Sequence, residues 1–580
     1  MIVKEKNCKR NIFIQIILIL FAFGELLKSD AYYMPYLLIA VASLLSLYYN
    51  FRAKIGVLDI FDKKKKFLII FFSMLYSAMI SLSNYTIWNV SGFKEIFLAV
   101  TITVGSGIAI LNILLWLSNV DIVARVNYNE SILNSVPAFW ITLVLISGID
   151  LFVLLTCKYP GILSSDNIDQ MYQIFGINEL SNHHPFYHTM TIKFFVSIGM
   201  RIYKDLNAAI SLYFVFQILF MAFCFAYSIK TCCEIMLSRR VTIIMIIFYT
   251  FMPFHFMYAI TMWKDVIFGG FVLLFTVILF RCVNGMGKQF SNYVLLTVSG
   301  MGVCLFRSNG LFAFIITTIG FVLIYKKKYK KEIIIMAGII VMSTIMKYPV
   351  LNAFGVKQPM LKESLSIPLQ QIARVIRDDN DLTDSEIELL EKVIDVDKMG
   401  NVYETYISDP VKNLLRERGN QDYIIKHKFE YIKLYVNIGL RHPVLYVQSW
   451  IDETKGYWNS GYEYWRWYNW IDSNNLGIAR TTYFNLINKK VDRYLSWFTE
   501  MPLLQTLVSI GVYTWILIGC LFNNIIKRNR GGITSTLLSL SVILSLIIST
   551  PVYSEFRYAY SSFCTVPVLV AIMLCPSTKN

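Results

Sequence analysis

The sequence lacks the short motifs that soluble enzymes use to bind metals and nucleotides. Its ten cysteines include no C-x-x-C pair, so neither a zinc site nor a disulfide framework is predicted. No glycine-rich phosphate loop occurs, so no nucleotide-binding site is predicted. Charged residues are scarce, at 16% of the 580 residues, and no close tandem repeat is visible. What is present instead is a large excess of apolar residues.

Hydrophobic residues make up 56% of the chain and the mean hydropathy is +0.53, whereas soluble domains average about 45–50% apolar. Many apolar runs are about 17–25 residues long, the length that crosses a hydrocarbon core of about 30 Å. The basic start and first apolar run resemble a signal peptide, but no small-x-small cleavage site follows, so a retained span is predicted. The sequence therefore predicts an all-α polytopic membrane protein.

The apolar runs predict about fourteen transmembrane helices. They are 11–27, 33–49, 67–83, 95–117, 136–156, 207–229, 241–260, 266–280, 293–306, a tenth that ends at 326–331, 333–346, 501–522, 534–549 and 559–574. The run 185–202 is short and interrupted, so it either crosses or lies at the interface. We predict an interfacial helix, because every later basic run then falls on one side of the membrane.

The formal charge of +16 comes largely from basic runs between spans, such as 51–66, 326–331 and 523–530. The positive-inside rule explains such runs and places them in the cytoplasm. No nucleic-acid partner is predicted, although the positive face would attract anionic membrane lipids in general. The protein is therefore expected in the cell membrane, with both termini cytoplasmic and its polar motifs on the external face.

Four regions follow from this pattern. They are a four-helix transmembrane region (1–135), a transmembrane core (136–346) with an external loop (157–188), an external and mostly helical soluble domain (347–500) between the eleventh and twelfth spans, and a three-helix region (501–580). At about 150 residues the soluble segment is large enough for its own core. Its aromatic block, Gly456–Trp470, favours sugar stacking and a membrane interface about equally.

The external loop holds Asp166, the acid that we single out as the main candidate site residue. A carboxylate near a membrane is costly unless it is hydrated, paired or functional. From the spacing alone, the better interpretation is a solvated loop acid at the start of a short helix near Ser164, such as its N-cap. His184 and His188 have i, i+4 spacing and could bind a metal with Asp166, or simply hydrogen-bond the loop.

Three more polar groups interrupt the ends of apolar runs. Trp263–Lys264–Asp265 is either part of a site or an interface anchor with an ion pair. Arg307–Gly310 contains an arginine that needs an anion, whether Asp265, a lipid headgroup or a substrate phosphate. Glu555–Tyr558 opens the last span, and there an internal Glu555–Arg557 salt bridge is expected as the simplest interpretation.

The order of these pieces resembles the GT-C superfamily of membrane glycosyltransferases, which use polyprenyl-phosphate sugar donors. The segments that carry the resemblance are YPGILSSDN, which contains the loop acid, HHPFYH, the turn before a juxtamembrane helix, MWKD, which contains the second acid, and Arg557–Tyr558 near the last span. Together with RSNG, they also resemble a group of uncharacterised bacterial membrane proteins placed near GT-C enzymes. The likeness covers 157–307 and 551–567, and the first four spans lie outside it.

The resemblance implies transfer of a sugar from a polyprenyl-phosphate donor to an envelope glycan, lipid or protein acceptor on the outer face, with inversion expected. Asp166 would take the proton from the acceptor hydroxyl, and Arg307, Lys264 and Arg557 would stabilise the departing lipid phosphate. The residues expected to bind substrate are Asp169, His183, His184, His188, Trp263, Lys264, Asp265, Arg307, Asn309, Glu555, Arg557 and Tyr558. Many GT-C enzymes carry an acidic pair, whereas Asn167 follows Asp166 here, so a divalent metal is left open.

Three other functions fit parts of the sequence. A transporter or flippase of lipid-linked glycans would place its charges near the bilayer midplane, often on broken helices with internal repeats. A polymerase or ligase of lipid-linked glycans would differ from a glycosyltransferase only in the size of the transferred group. A non-catalytic binding or assembly protein on the same scaffold is the fourth interpretation.

Overall fold

The computed structural model describes residues 2–29, 33–52, 62–88, 92–119, 133–326, 328–462 and 467–574. Most of the basic run 51–66, one residue of the run 326–331, and Tyr464 and Trp465 of the aromatic block lie outside these ranges. Within them the secondary structure is helical, with isolated β-bridges and no strand. The predicted all-helical fold is therefore confirmed for the part of the chain that is described.

The first four helices form a bundle at the N-terminal end of the chain. They are α1 (Ile2–Ser29), α2 (Met34–Arg52), α3 (Lys63–Ser83) and α4 (Phe93–Asn119). α4 packs against the other three, and Phe23, Tyr36 and Tyr76 are buried between them. Trp515, from near the C-terminus, packs edge-on against Tyr76, which joins this bundle to the rest of the protein.

Ten helices follow. They are α5 (Ser135–Thr156), α6 (Ser165–Ile174), α7 (Phe186–Tyr203), α8 (Leu206–Glu234), α9 (Arg239–Phe251), α10 (Pro253–Ala259), α11 (Lys264–Val283), α12 (Gln289–Leu305), α13 (Gly310–Tyr325) and α14 (Lys330–Ile345). α11 is the central helix, because nearly all of its residues are buried and it packs against α8 and α12. Its start, Lys264–Asp265, is therefore held inside the protein.

The predicted span 241–260 is broken into α9 and α10. The two helices meet at Met252 with a bend of 46°, and Pro253 is the first residue of α10. Proline has no backbone N–H and cannot continue the hydrogen bonding of the preceding helix. After the break, the short buried connection 260–263, which ends with Trp263, leads into α11.

Ten helices are long and apolar enough to cross a membrane, or twelve if each of two bent pairs is one span, and α13 is a shorter apolar helix. This count covers the described ranges only. α7, the segment predicted to be interfacial, is not among the ten. The chain thus has the helices of a multi-pass membrane protein, while the total of fourteen remains a prediction.

The polar segment after α14 includes seven helices between residues 366 and 454. They are α15 (Ser366–Asp378), α16 (Asp384–Glu391), α17 (Val396–Val402), α18 (Asp409–Arg418), α19 (Gln421–Lys426), α20 (Lys428–Arg441) and α21 (Pro443–Thr454). They enclose a hydrophobic core of their own, which includes Ile372, Met399, Leu415 and Ile438. This part of the predicted soluble domain is thus built around its own apolar centre.

From about residue 450 onwards the chain rejoins the transmembrane core. Trp458 and Phe498, the latter in α22 (Asn485–Glu500), belong to the same buried cluster as α11. Polar contacts also reach the N-terminal bundle: among them, Tyr85 Oη donates to Asp452 Oδ2 at 2.7 Å, and Tyr36 Oη donates to Asn459 Oδ1 at 2.5 Å. The second half of the segment thus contacts both the N-terminal bundle α1–α4 and the transmembrane helices around α11.

The chain ends with α23 (Pro502–Gln505), α24 (Ile510–Ile526), α25 (Arg530–Ile548) and α26 (Tyr560–Leu574). α26 packs against α11, and α25 packs against α13. The connection between α25 and α26, residues 549–559, carries Glu555, Arg557 and Tyr558. This connection lies at the same end of α11 as Lys264 and Asp265, as the contacts below show.

Candidate active site

The loop 157–188 is fixed by backbone hydrogen bonds on both sides of residues 159–164. Ile162 N–H donates to Ile260 O at 2.9 Å, and Met262 N–H donates to Ile162 O at 3.1 Å. On the other side, Asp472 N–H donates to Leu163 O at 2.9 Å. The segment thus lies between two distant parts of the chain, and the start of α6 is held beside the start of α11.

The start of α6 is capped without Asp166. Asn167 Oδ1 accepts the backbone N–H of Ser164, the N-cap residue, at 3.0 Å. Asn167 Nδ2 donates to Met262 O at 2.8 Å, which ties the helix start to the turn before α11. The predicted short helix is present, but Ser164 is its N-cap. The Asp166 carboxylate is consequently available for other contacts, at the helix end that favours negative charge.

Asp166 is an accessible carboxylate paired with an arginine from the far end of the chain. Arg557 Nη1 donates to Asp166 Oδ2 at 3.2 Å, and 34% of the Asp166 side chain is exposed. Burial alone would raise the pKa of this carboxyl, but the charges of Arg557, Lys264 and His184 outweigh it and hold the pKa below its usual range. Asp166 is therefore ionised at neutral pH, and its carboxylate is partly exposed to solvent.

Arg557 joins several candidate residues into one group. Its guanidinium also pairs with Glu555, at 3.2 Å between Nε and Oε1, so the salt bridge expected from the sequence is present. The guanidinium carbon lies 5.2 Å from the ring centroid of Trp263 and 5.2 Å from that of Tyr558, within range of cation–π attraction. Arg557 is thus held by two carboxylates and two aromatic rings.

Glu555 is a buried carboxyl beside two other acids. The pKa of Glu555 is raised to about 7, mainly by burial and also by the charges of Asp265 and Asp166, although the charge of Arg557 acts to lower it. A carboxyl in this range changes charge near neutral pH, unlike an ordinary glutamate. The net charge around Arg557 therefore depends on pH in the physiological range.

Asp265 and Arg307 form a buried ion pair at the start of α11. The distance between Arg307 Nη1 and Asp265 Oδ1 is 3.1 Å, and the Asp265 side chain is completely buried. Of the three anions considered for Arg307, the structure thus supplies Asp265. Arg307 also donates to Tyr558 O at 2.6 Å, and its guanidinium lies 4.8 Å from the Tyr558 ring centroid.

Lys347 supports this ion pair and was missed by the sequence analysis. Its buried amine donates to Arg307 O at 3.1 Å and to Ser308 O at 3.2 Å. These carbonyls follow the end of α12, where helical partners are lacking. The available signal was a lysine directly after the apolar run 333–346, which we assigned to the start of the soluble segment.

Lys264 and His184 form a second polar contact near Asp166. Lys264 Nζ lies 3.3 Å from His184 Nδ1, and His184 Nε2 lies 3.8 Å from Asp169 Oδ2. Burial and the charge of Lys264 lower the pKa of His184, so a neutral ring accepts from the ammonium group. Asp169 also accepts hydrogen bonds from Gln173 and Asn178, at 2.7 Å each. Its carboxylate therefore stabilises the conformation of the loop itself.

The remaining candidates lie beside or behind this group. His188 is completely buried, with Nδ1 3.0 Å from Gln170 Nε2 and Nε2 2.8 Å from Tyr213 Oη, and burial lowers its pKa to about 3. His183 packs edge-on against His184. Asn309 donates to Ser545 of α25 at 2.7 Å. His188 thus has both ring nitrogens engaged in a buried network.

In the part of the chain that the structure describes, no group of three or more histidine, cysteine, aspartate or glutamate side chains is placed to hold a metal ion. The predicted combination of His184, His188 and Asp166 is accordingly not assembled. Asp166 faces Arg557, and the His188 ring faces Gln170 and Tyr213. The charge compensation in this group comes from Lys264, Arg307 and Arg557.

The aromatic block divides into two parts. Trp458 is buried, with its ring stacked near Trp450 at 6.3 Å between centroids, and therefore serves packing. Tyr468 lies 5.7 Å from Trp263 between ring centroids, and Trp470 lies 4.3 Å from Tyr468. The second part thus continues from the Trp263 ring, which Arg557 contacts, to the exposed ring of Trp470.

The loop that carries Arg557 is held in place by the segment outside the transmembrane helices. Ser408 N–H donates to Pro551 O at 2.9 Å, and Tyr553 N–H donates to Tyr406 O at 3.0 Å. Tyr457 Oη donates to Val552 O at 2.9 Å. These bonds set the position of residues 551–553, and therefore that of Arg557 a few residues later.

Comparison with known proteins adds a family but no activity. No curated protein and no solved structure matches the chain. A family model, described as a family of unknown function (DUF6020), matches residues 177–580. The match includes Lys264, Asp265, Arg307 and Arg557 and begins after Asp166. Because it covers well over half of the chain, this protein belongs to the DUF6020 family.

Proposed function

We propose that this protein is a membrane glycosyltransferase with a GT-C-like arrangement, which transfers a sugar from a polyprenyl-phosphate donor to a hydroxyl acceptor at the outer face. The observation that carries the proposal is the pairing of an accessible, ionised Asp166 with Arg557, beside Lys264. A proton acceptor and two cations thus lie within one small polar group at the ends of apolar helices. The proton acceptor can deprotonate a hydroxyl, and the two cations can bind a lipid phosphate.

In the proposed reaction the acceptor oxygen attacks the anomeric carbon while its proton passes to an Asp166 oxygen. The bond between the anomeric carbon and the phosphate oxygen breaks, and the polyprenyl phosphate leaves with that electron pair. Direct displacement inverts the configuration at the anomeric carbon. General base catalysis of this kind requires an acceptor hydroxyl within hydrogen-bond reach of Asp166.

Arg557 links donor binding to the basicity of Asp166 in this scheme. In the structure its guanidinium pairs with Asp166 and Glu555. A donor phosphate that takes over part of this guanidinium weakens the ion pair with Asp166, and the pKa of Asp166 then rises towards its ordinary value. The carboxylate becomes a better proton acceptor when the leaving group is in place.

Arg307 has a different role in the proposal from the one the sequence suggested. Its guanidinium is committed to Asp265 and to the carbonyl of Tyr558. We therefore assign it to positioning the loop that carries Arg557, and assign the stabilisation of the leaving phosphate to Arg557 and Lys264. Preorganised cations stabilise a leaving anion most effectively when they do not have to move.

The position of the charges favours a transferase over a transporter. Asp265 is the second residue of α11, and Arg307 lies in the turn between α12 and α13. We place these helix ends near the membrane surface, whereas transporters bind their substrates near the bilayer midplane, often between the ends of interrupted helices. A polymerase or ligase would use the same chemistry with a larger glycan, so the donor and acceptor tested decide between these enzymes.

Purified wild-type protein is expected to consume a polyprenyl-phosphate sugar when offered a panel of such donors, by transfer to an acceptor or by slow hydrolysis. The products are measured by thin-layer chromatography and mass spectrometry, with and without EDTA. Because the polar group described above contains its own cations, we expect activity to persist in EDTA. Donor binding without turnover for every sugar would contradict the proposal and favour a flippase.

Donor affinity is expected to depend on pH through Glu555. Below pH 7 the Glu555 carboxyl is neutral and leaves Arg557 free for the phosphate, whereas above pH 7 its charge competes with the phosphate. The KM for the donor should rise roughly three- to tenfold through pH 7, which corresponds to about 0.7–1.4 kcal/mol. Glu555→Gln should keep the low-pH KM at all pH values.

Glu179→Gln is the matched control, because Glu179 is an exposed loop residue paired with Lys357. This variant should retain the pH dependence of the wild type. The donor is a phosphodiester and does not itself titrate in this range. A wild-type KM that stays constant from pH 6 to 8 would contradict the role of Glu555.

A further inference from the structure

One helix of the segment outside the transmembrane core exposes an apolar face. Phe429, Ile432, Val436 and Leu440 recur along α20 at intervals of three and four residues, so they form one stripe. Phe429 and Leu440 are each 76% exposed. The stripe continues onto α21 through Val444, which is 63% exposed, and Val447.

The opposite face of α20 already packs into the protein. Leu434 and Ile438 are buried in the core formed by α15–α21. The exposed stripe is therefore not required for packing within this core. Contiguous exposed apolar surface of this kind marks a contact with something else.

Basic residues accompany the stripe. Lys426, Lys428 and Lys433 are exposed on or next to α20, and the Lys428 ammonium lies 5.2 Å from the Phe429 ring centroid. Large apolar side chains with lysines beside them are the pattern of helices that lie in a membrane interface. Lysine stems cover apolar surface there while the ammonium groups reach the lipid phosphates.

The connections of the segment keep it close to a membrane. It begins after Lys330–Ala353, a candidate span, and it ends at the bent pair of helices Pro502–Val508 and Ile510–Ile526. α22, immediately before that pair, also exposes Leu486 and Trp497 beside Lys489 and Lys490. A surface tethered at both ends meets the bilayer at high effective concentration.

We propose that the stripe of α20 and the start of α21 lies in the headgroup layer of the membrane, with Lys426, Lys428 and Lys433 contacting anionic lipid phosphates. The segment outside the transmembrane helices is thus seated on the lipid surface in addition to being joined to it through the chain. This proposal depends on the membrane helices alone and not on the proposed transferase activity.

The test uses the full chain in vesicles of phosphatidylcholine with or without phosphatidylglycerol. The photo-crosslinking residue p-benzoylphenylalanine replaces Phe429 or Leu440, and in the control it replaces Glu388, which is 79% exposed on α16 of the same segment. Mass spectrometry then measures lipid adducts after illumination. We expect roughly fivefold or more lipid adducts at 429 and 440 than at 388, with a further increase when phosphatidylglycerol is present.

A second variant tests whether the stripe itself causes the contact. Ile432→Glu with Val436→Glu places two charges on exposed positions and leaves Leu434 and Ile438 in the core. Lipid adducts at 440 should then fall to the level measured at 388. Adducts to protein, whether a second copy or another chain, or lipid adducts no more frequent than at 388, would overturn the proposal.

Discussion

Asp166→Asn is expected to lower the rate of sugar transfer by about 10²- to 10⁴-fold, the usual contribution of a positioned general base. The amide has nearly the same shape as the carboxylate but does not take a proton at neutral pH. Since Ser164 and Asn167 cap α6, the helix should form as before. The KM for the donor should stay unchanged or fall, because one competitor for Arg557 has lost its charge.

Asp169→Asn is the matched control for this experiment. Asp169 lies one turn further along α6 and accepts hydrogen bonds from Gln173 and Asn178, so an amide there should change turnover only slightly. Both variants are compared by single-turnover rate and by the yield of folded protein. A well-folded Asp166→Asn protein with wild-type turnover would show that another group takes the proton.

Arg307→Met is expected to destabilise the protein by about 3–5 kcal/mol, the usual cost of removing one partner from a buried ion pair. The Asp265 carboxylate is completely buried and would lose its paired cation, and the Tyr558 carbonyl would lose a donor at 2.6 Å. The change should appear as a lower midpoint of thermal unfolding in detergent and a smaller yield of folded protein.

Two further variants make this result specific to the buried pair. Asp265→Asn combined with Arg307→Met removes both charges and should recover part of the lost stability, since no charge is then left buried and unpaired. Arg377→Met removes an arginine from an exposed pair with Asp378 and should change stability by no more than about 1 kcal/mol. Equal stability of Arg307→Met and wild type would contradict the structural role of the pair.

The sequence predicted most of the helices because hydropathy acts locally. An apolar run of the right length has few alternatives to a helix in a membrane, and most of the observed bounds lie within a few residues of those predicted. The predicted span 501–522 is an exception, because it is a pair of helices, Pro502–Val508 and Ile510–Ile526, with a bend of 70° between them that was not predicted. The break at Met252 was not predicted, although Pro253 was the signal for it. A proline within a long apolar run leaves a kinked helix and a broken one equally open until the neighbouring packing is known.

The candidate site was predicted as residues but not as contacts. Asp166 and Arg557 were both candidates, yet their pairing joins positions 391 residues apart, and no local pattern indicates such a contact. His188 resembled a ligand in sequence, whereas its burial and its hydrogen bonds with Gln170 and Tyr213 make it part of the interior. Burial of a single histidine depends on the tertiary fold, which the spacing of residues does not determine.

The backbone contacts between residues 406–408 and residues 551–553 limit how this protein can be shortened. A construction that joins α14 directly to α23 would keep the apolar helices but remove the partners of Pro551 and Tyr553. The connection bearing Arg557 would lose its anchor even though no residue of the polar group had been deleted. The smallest working unit of this chain is therefore longer than its set of transmembrane helices.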